Sequence, residues 1–485
     1  MKGTLEPVTL PATSDARPPN DPFRPGKSRA TGKGHIGWIV AGSLLSGMVA
    51  AIVLVVGPLG GSQEHVITGA VLLAFAFGWA LLALLSTLWT DQPQRWAAVP
   101  AVFMGLFGAG LIVFAPDARA LNVLSWVWPL PVLALVVWMI AMARRRLRSH
   151  ARRWLLFPVF GVLAVAALGG AWQTVAAAVD RATTAMPGQL IDVGGHRLYL
   201  SCTGSGSPTV VLESGAGESS AYWGWIAPAV ARDTRVCVYD RAGRGFSEPA
   251  PNSQDGVGAA TDLHTLLQRA RVAAPYVLVG HSSGGPYVQI FAARYPDQVA
   301  GMVLLDGQPR DALTRLPGFP AFLSTYRTVS ALFPSLARVG VFRLVQMSSS
   351  GGLPAQARDE ERATQSSAEL ARSTRDEFAE LATALTQAQS LKSLGDKPLI
   401  VVTAVKEAPD GWLPLQDEVA ALSTNSIHRV LPNTTHMSLI EDQGDAAMAS
   451  QAIHDVVESV RAARPLTKPS GEASRGHRDR RPTRL

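Results

Sequence analysis

Five long apolar runs crowd the first 180 residues, and they constrain this chain more than anything else in it. They cover 36–59, 66–89, 97–115, 121–143 and 154–179. Each is close to the roughly 20 residues that a helix needs to cross a bilayer. A buried core helix explains any one such run, but not five in succession on tiny loops. A cleaved signal peptide fits poorly too, because the first run starts at residue 36 and four more follow. Pro100, Pro129, Pro131 and Pro158 kink or bound their helices, which membrane helices tolerate better than soluble ones. Residues 1–35 hold Pro, Gly and charge without an apolar run, and read as a disordered basic tail.

Charge sets the expected orientation. Lys2, Arg17, Arg24, Lys27, Arg29 and Lys33 precede the first run, Arg95 follows the second, and Arg144, Arg145, Arg146, Arg148, Arg152 and Arg153 separate the fourth from the fifth. The opposite loops carry only Arg119. Positive loops stay in the cytoplasm, so the tail is expected inside and everything after about residue 180 outside, on a multi-pass protein of the cell membrane. No run has an ionisable residue in its interior. That favours an anchor or partner-binding module over a transporter, whose path is usually marked by such groups.

From 189 to 463 the rhythm changes. Short β-rich runs at 196–202, 209–212, 235–239, 276–279, 302–305, 399–403 and 428–431 alternate with helical stretches. That alternation implies a mostly parallel sheet with helices on both faces. Within it stands Gly280-His281-Ser282-Ser283-Gly284, a G-x-S-x-G pattern between a β-prone stretch and a helical one. A serine there sits on a sharp turn that exposes its hydroxyl at a helix N-terminus.

The segment resembles the α/β-hydrolase superfamily, most closely its bacterial serine hydrolases with a helical cap. The resemblance rests on the serine turn and three further motifs. Glu213-Ser214-Gly215-Ala216-Gly217 stands where the family has a His-Gly loop, with Ser214 in place of the His. Asp240-Arg241-Ala242-Gly243-Arg244-Gly245-Phe246-Ser247 resembles a D-x-x-G-x-G-x-S loop that is mainly structural. Thr434-Thr435-His436-Met437 follows the last strand, where the family keeps its histidine. The resemblance implies an α/β-hydrolase domain over 187–463, with a cap at about 308–396, joined to the transmembrane region at 36–180. A Pro-rich basic tail follows from 464.

By the same resemblance Ser282 is the nucleophile and His436 its base, while backbone N–H groups of Ala216 and Ser283 form the oxyanion hole. Two carboxylates compete to orient the imidazole. Glu407 follows the strand ending near Thr403, and Asp306 follows the strand before it; Asp410 is a third choice. His281 and His428 are expected to pack. If the sheet keeps the family's strand order, Cys202 and Cys237 lie on neighbouring strands and form a disulfide, which persists in an oxidising compartment. The implied activity is hydrolysis of a small-molecule ester or lipid-like substrate through an acyl-enzyme. An amidase or peptidase with the same triad, and a binding module without catalysis, are the alternatives. No cofactor, metal or nucleic-acid partner is implied; an Asp at 282 would have pointed to a dehalogenase or epoxide hydrolase.

Overall fold

The structure is a computed structural model, and it describes residues 36–147, 154–251, 254–348 and 351–467. The N-terminal tail 1–35, the residues from 468 and part of the arginine-rich segment 144–153 lie outside the described residues.

The first half is helical: α1 Ile36–Val56, α2 Glu64–Trp89, α3 Ala98–Phe114, α4 Ala118–Val127, α5 Pro129–Arg146 and α6 Phe157–Thr183. Four helices are long and apolar enough to cross a membrane, and a fifth span arises if α4 and α5 count as one. The fourth apolar run is therefore not one straight helix. It bends by 43° at Trp128, where Pro129 and Pro131 open α5. A proline removes a helical N–H and crowds the preceding turn, so the break falls where the sequence is weakest. The second run also starts earlier than its apolar residues, with Glu64 and His65 in its first turn.

Close helix pairing in this half depends on glycine. A Cβ on Gly78 would stand 2.8 Å from the Ser43 carbonyl oxygen, and one on Gly108 would stand 2.7 Å from that of Gly69. Small residues let apolar helices approach where no water drives them together. Trp79, Trp96, Leu82, Met139 and Phe160 fill the bundle interior.

The second half is a single eight-stranded sheet: β1 Gln189–Asp192, β2 Arg197–Thr203, β3 Thr209–Glu213, β4 Val236–Tyr239, β5 Tyr276–His281, β6 Val299–Leu305, β7 Leu399–Ala404 and β8 Ser426–Leu431. The strand order is β1-β2-β4-β3-β5-β6-β7-β8. The first two pairings are antiparallel and the rest parallel. β1 has no counterpart in the sequence reading, because four half-exposed edge residues carry too little pattern. His196 falls in the turn after β1, where its Nε2 lies 2.9 Å from Asp262. Cys202 and Cys237 stand directly opposite each other on β2 and β4 and are joined by a disulfide.

The helices of this half are α7 Ile226–Val230, α8 Gly256–Arg269, α9 Gly284–Arg294, then an inserted group α10 Ala312–Arg315, α11 Phe319–Ser330, α12 Phe333–Arg338, α13 Val341–Ser348, α14 Ala355–Gln365 and α15 Ala368–Ala388, and finally α16 Trp412–Ala420, α17 Ser438–Glu441 and α18 Gln443–Ala462. α8, α9 and the end of α15 cover one face of the sheet, and α7 and α18 cover the other. The insertion between β6 and β7 forms a cap. The apolar stretch at 326–345 is cut by Pro334 and Gly340 into three short helices. The charged stretch after 359 is cut at Ser367, whose side chain accepts from the Leu370 N–H and starts α15.

Candidate active site

Ser282 sits between the last residue of β5 and the first of α9 with φ +53°, a conformation unfavourable for a residue with a Cβ. The turn is held from both sides. The Ser282 N–H donates to the Leu305 carbonyl at 3.2 Å, and its own carbonyl accepts from Gly285 and Gln308 at 3.0 and 2.8 Å. The flanking glycines leave no choice of residue. A Cβ on Gly280 would come within 2.7 Å of Gly284 backbone, and one on Gly284 within 2.4 Å of the Glu213 carbonyl oxygen. Strain kept by such surroundings marks functional positions.

His436 lies on the loop between β8 and α17. Its Nδ1 is 2.6 Å from Oδ2 of Asp306. Asp306 is buried just past β6, also at positive φ, and its other oxygen accepts from Trp412 Nε1 at 2.9 Å. The carboxylate thus fixes the ring so that Nε2 is the nitrogen left for chemistry. Glu407 and Asp410 line the same cavity as Ser282 and His436, but the bond to the imidazole is made by Asp306.

Ala216 and Ser283 line that cavity as well. The loop bearing Ala216 presses on the serine: a Cβ on Gly215 would be 2.7 Å from the Ser282 Cβ. Ser214, which replaces the family's His, is buried away from this role, its hydroxyl accepting from Trp223 Nε1 at 2.8 Å.

Two ion-pair clusters around the serine have no signature in the sequence. His281 is fully buried. Its Nδ1 lies 2.9 Å from Glu218, and its Nε2 donates to the His436 carbonyl at 3.2 Å. Glu218 also accepts from the Gly215 N–H at 2.5 Å. Burial acts to neutralise both groups. Their mutual attraction outweighs it, holding His281 above the usual imidazole range and Glu218 below the usual carboxylate range. The Glu218–His281 pair therefore ties together the loop of Gly215 and Ala216, the end of β5 and the loop of His436. His281 packs as expected, fully buried, and also braces these loops through its bonds to Glu218 and the His436 carbonyl.

The second cluster joins the cap to the loop after β4. Arg241 pairs with Glu213 and, at 2.8 Å, with Glu377 of α15. Arg244 pairs with the same Glu377, and burial together with the neighbouring Arg241 pulls its guanidinium down to about 9. The Ser283 hydroxyl donates to Glu377 at 2.8 Å. The D-x-x-G-x-G-x-S loop is thus the ionic anchor of the cap beside the serine. Glu218, Glu377 and Trp412 come from distant segments, and no spacing in one sequence links them to the serine turn.

Comparisons with known proteins agree with this architecture. Residues 208–443 match the family described as alpha/beta hydrolase fold. An uncharacterised protein of Schizosaccharomyces pombe is 38% identical over 160 residues, 27% of this chain and 30% of that protein. A pyrrolizixenacetamide deacetylase of Xenorhabdus hominickii is 30% identical over 115 residues, 24% of this chain and 43% of the enzyme. The chain spans less than half the length of either relative. The Cif epoxide hydrolase from Acinetobacter nosocomialis superposes with a TM-score of 0.50 at 16% identity, over 59% of this chain and 96% of that one, a likeness of fold. The second half of the chain thus has the alpha/beta hydrolase fold, and it follows a helical region with four to five candidate membrane spans.

Proposed function

We propose that this chain is a membrane-held serine hydrolase that cleaves carboxylic esters through an acyl-enzyme on Ser282. The observation that carries the reading is the buried Asp306 bonded to His436, in one cavity with a strained Ser282. His436 Nε2 takes the serine proton as Oγ attacks the ester carbonyl, and returns it to the departing alcohol. Water then repeats the sequence on the acyl-enzyme. The Asp306 carboxylate holds the tautomer and stabilises the imidazolium. The N–H groups of Ala216 and Ser283 receive the oxyanion, each contributing about 3 kcal/mol of transition-state stabilisation. The charge asymmetry of the helical half and the Cys202–Cys237 disulfide support an extracytoplasmic hydrolase domain.

A fluorophosphonate probe tests the nucleophile. Wild type takes up the label and Ser282→Ala does not; equal labelling of the two ends the reading. The name of the Xenorhabdus relative, a deacetylase, favours an amide-cleaving alternative. Parallel turnover of matched acyl esters and acyl amides decides between them. Protease treatment of sealed cells tests the side: a hydrolase domain cut only after lysis would place it in the cytoplasm.

A further inference from the structure

The cap does not stand over open water. Its middle helices are fastened to the candidate spans. Glu64, buried at the head of α2, pairs with Arg338 of α12 and, at 2.6 Å, with Arg372 of α15. Thr68 and Ser335 hydroxyls are 2.7 Å apart. On α6, Arg343 reaches Asp180 at 2.7 Å and Gln173 at 2.8 Å. The turn between α12 and α13 lies directly on α6: a Cβ on Gly169 would come within 2.4 Å of the Val339 carbonyl oxygen.

That contact has a depth. From Phe157 to Gly169 is about 18 Å of helix at 1.5 Å per residue, whereas the hydrocarbon core is about 30 Å thick. With the span taken to begin at Phe157, the turn joining α12 to α13 meets α6 at the level of the near leaflet. The surface there is apolar. Leu344 on α13 is 60% exposed, and on α6 Leu168, Trp172 and Val175 are exposed too. Apolar surface left bare on this scale marks a membrane or partner contact.

A cavity begins at this place. It has a volume of about 400 Å³ and runs from Phe333, Phe342 and Val345 to Ala216, Glu218 and Met437. The same Ala216, Glu218 and Met437 line the apolar cavity of about 580 Å³ that holds Ser282, Phe319, Phe322 and Trp412. Two cavities of ligand size thus meet at the oxyanion loop, one of them ending on helices at leaflet depth.

We propose that the substrate is a bilayer-resident, long-chain acyl ester, drawn from the leaflet beside the hydrolase domain through the α12–α13 face of the cap. The inference rests on the ester-hydrolase reading of Ser282 and adds to it the substrate class and its route. Each methylene carried from bilayer into water is penalised. A chain that slides from lipid into Phe333 and Phe342 avoids that step, and its carbonyl arrives at Ala216 and Ser283. The Glu64 ion pairs keep the mouth at leaflet depth.

The test uses the full chain in phosphatidylcholine vesicles with two umbelliferyl esters, the water-soluble butyrate and the bilayer-partitioned oleate. Leu344 lines neither cavity. Leu344→Glu is expected to lower oleate turnover at least tenfold while butyrate turnover changes less than twofold, and Leu344→Met to keep both. Oleate turnover that is unaffected, or that falls only in step with butyrate, overturns the proposal. A second measurement does not need turnover. A diazirine-bearing oleoyl ester in the same vesicles, photolysed with Ser282→Ala protein, is expected to label the peptide 333–345, and no label there overturns the route. Hydrolysis of neither ester by wild type, with that peptide labelled, refutes the ester-hydrolase reading and leaves the route standing.

Discussion

The two halves of this molecule are packed inside out relative to each other. In the helical half the large apolar side chains point outward, with Trp38 79%, Leu106 69% and Phe114 82% exposed, while Gly47, Gly69, Gly78 and Gly108 face one another across helix pairs. In the hydrolase half the aliphatic residues of β3, β5, β6 and β7 are buried on both faces of the sheet, and most charged residues that go inside go in pairs, while Asp240 accepts from the backbone N–H groups of Ser220 and Phe246. The difference is the one expected of a chain whose first half, with its candidate spans, meets hydrocarbon and whose second half meets water. A bare surface of Trp, Leu and Phe marks a membrane or partner contact. A paired charge in a core is tolerated only when each partner satisfies the other. Where the halves touch, the device of the second is used at the edge of the first: Glu64 is buried at the head of an apolar helix because two cap arginines answer it.

The largest effect expected from breaking a charge pair falls on activity. Asp306→Asn keeps the shape of the site but offers His436 the wrong partner, and kcat on a soluble ester is expected to fall by about 10⁴-fold. Glu407→Gln is expected to stay within a few-fold of wild type. A larger loss from Glu407→Gln than from Asp306→Asn would transfer the orienting role to the other strand end.

Next comes stability. Glu218→Gln takes from the buried His281 the partner that offsets its desolvation, at a cost of about 3–5 kcal/mol in a denaturant titration. The pair also predicts a pH dependence. His281 is held above its ordinary 6.5, so its contribution is complete below that value and is lost as pH rises through the folded value. Glu218 is held below its ordinary 4.5, so its contribution is complete above that value and is lost as pH falls through the folded value. Thermal midpoints of the wild type are expected to be highest between the two, and the alkaline slope to flatten in the doubly substituted Glu218→Gln, His281→Gln protein. An unchanged slope would remove the charged pair from the account.

Reduction comes third. The Cys202–Cys237 bond closes a sequence separation of 35, worth about 4 kcal/mol in the loop-entropy description. Reductant should lower the unfolding midpoint of the hydrolase half and leave that of the helical half in place, read by separate fluorescent labels. The smallest effect sharpens the comparison most. Leu278→Ala, in a buried strand, is expected to cost about 2–5 kcal/mol, whereas Leu106→Ala, facing outward from α3, should cost close to nothing in vesicles. Equal costs would mean that α3 is buried against protein, not lipid.

What could be read beforehand follows from how far each signal reaches. The apolar runs, the strand rhythm and the serine turn are written in neighbouring residues, so they were legible. The orienting acid was not. Asp306 and Glu407 follow adjacent parallel strands, β6 and β7, and both reach the cavity. Only the packing of Trp412 against one of them, and the side from which His436 arrives, separates the two. The disulfide was conditional on strand order, since 35 positions of sequence say nothing of register. The break at Trp128 was hinted at by Pro129 and Pro131, but the contact of α4 with the cap, where Arg338 binds the Leu121 carbonyl, Asn122 and Ser125, was not.

By itself the sequence determined that a lipid-compatible helical region precedes a doubly covered parallel sheet with a serine at a strained strand end. Those are matters of periodicity and of which residues tolerate which backbone angles, both local. Only the tertiary structure decided which buried charges answer one another: Asp306 with His436, Glu218 with His281, Glu377 with Arg241 and Arg244, Glu64 with Arg338 and Arg372. Each pair joins segments far apart along the chain. Its energy depends on distance and on exclusion of water, and neither exists until the chain has folded.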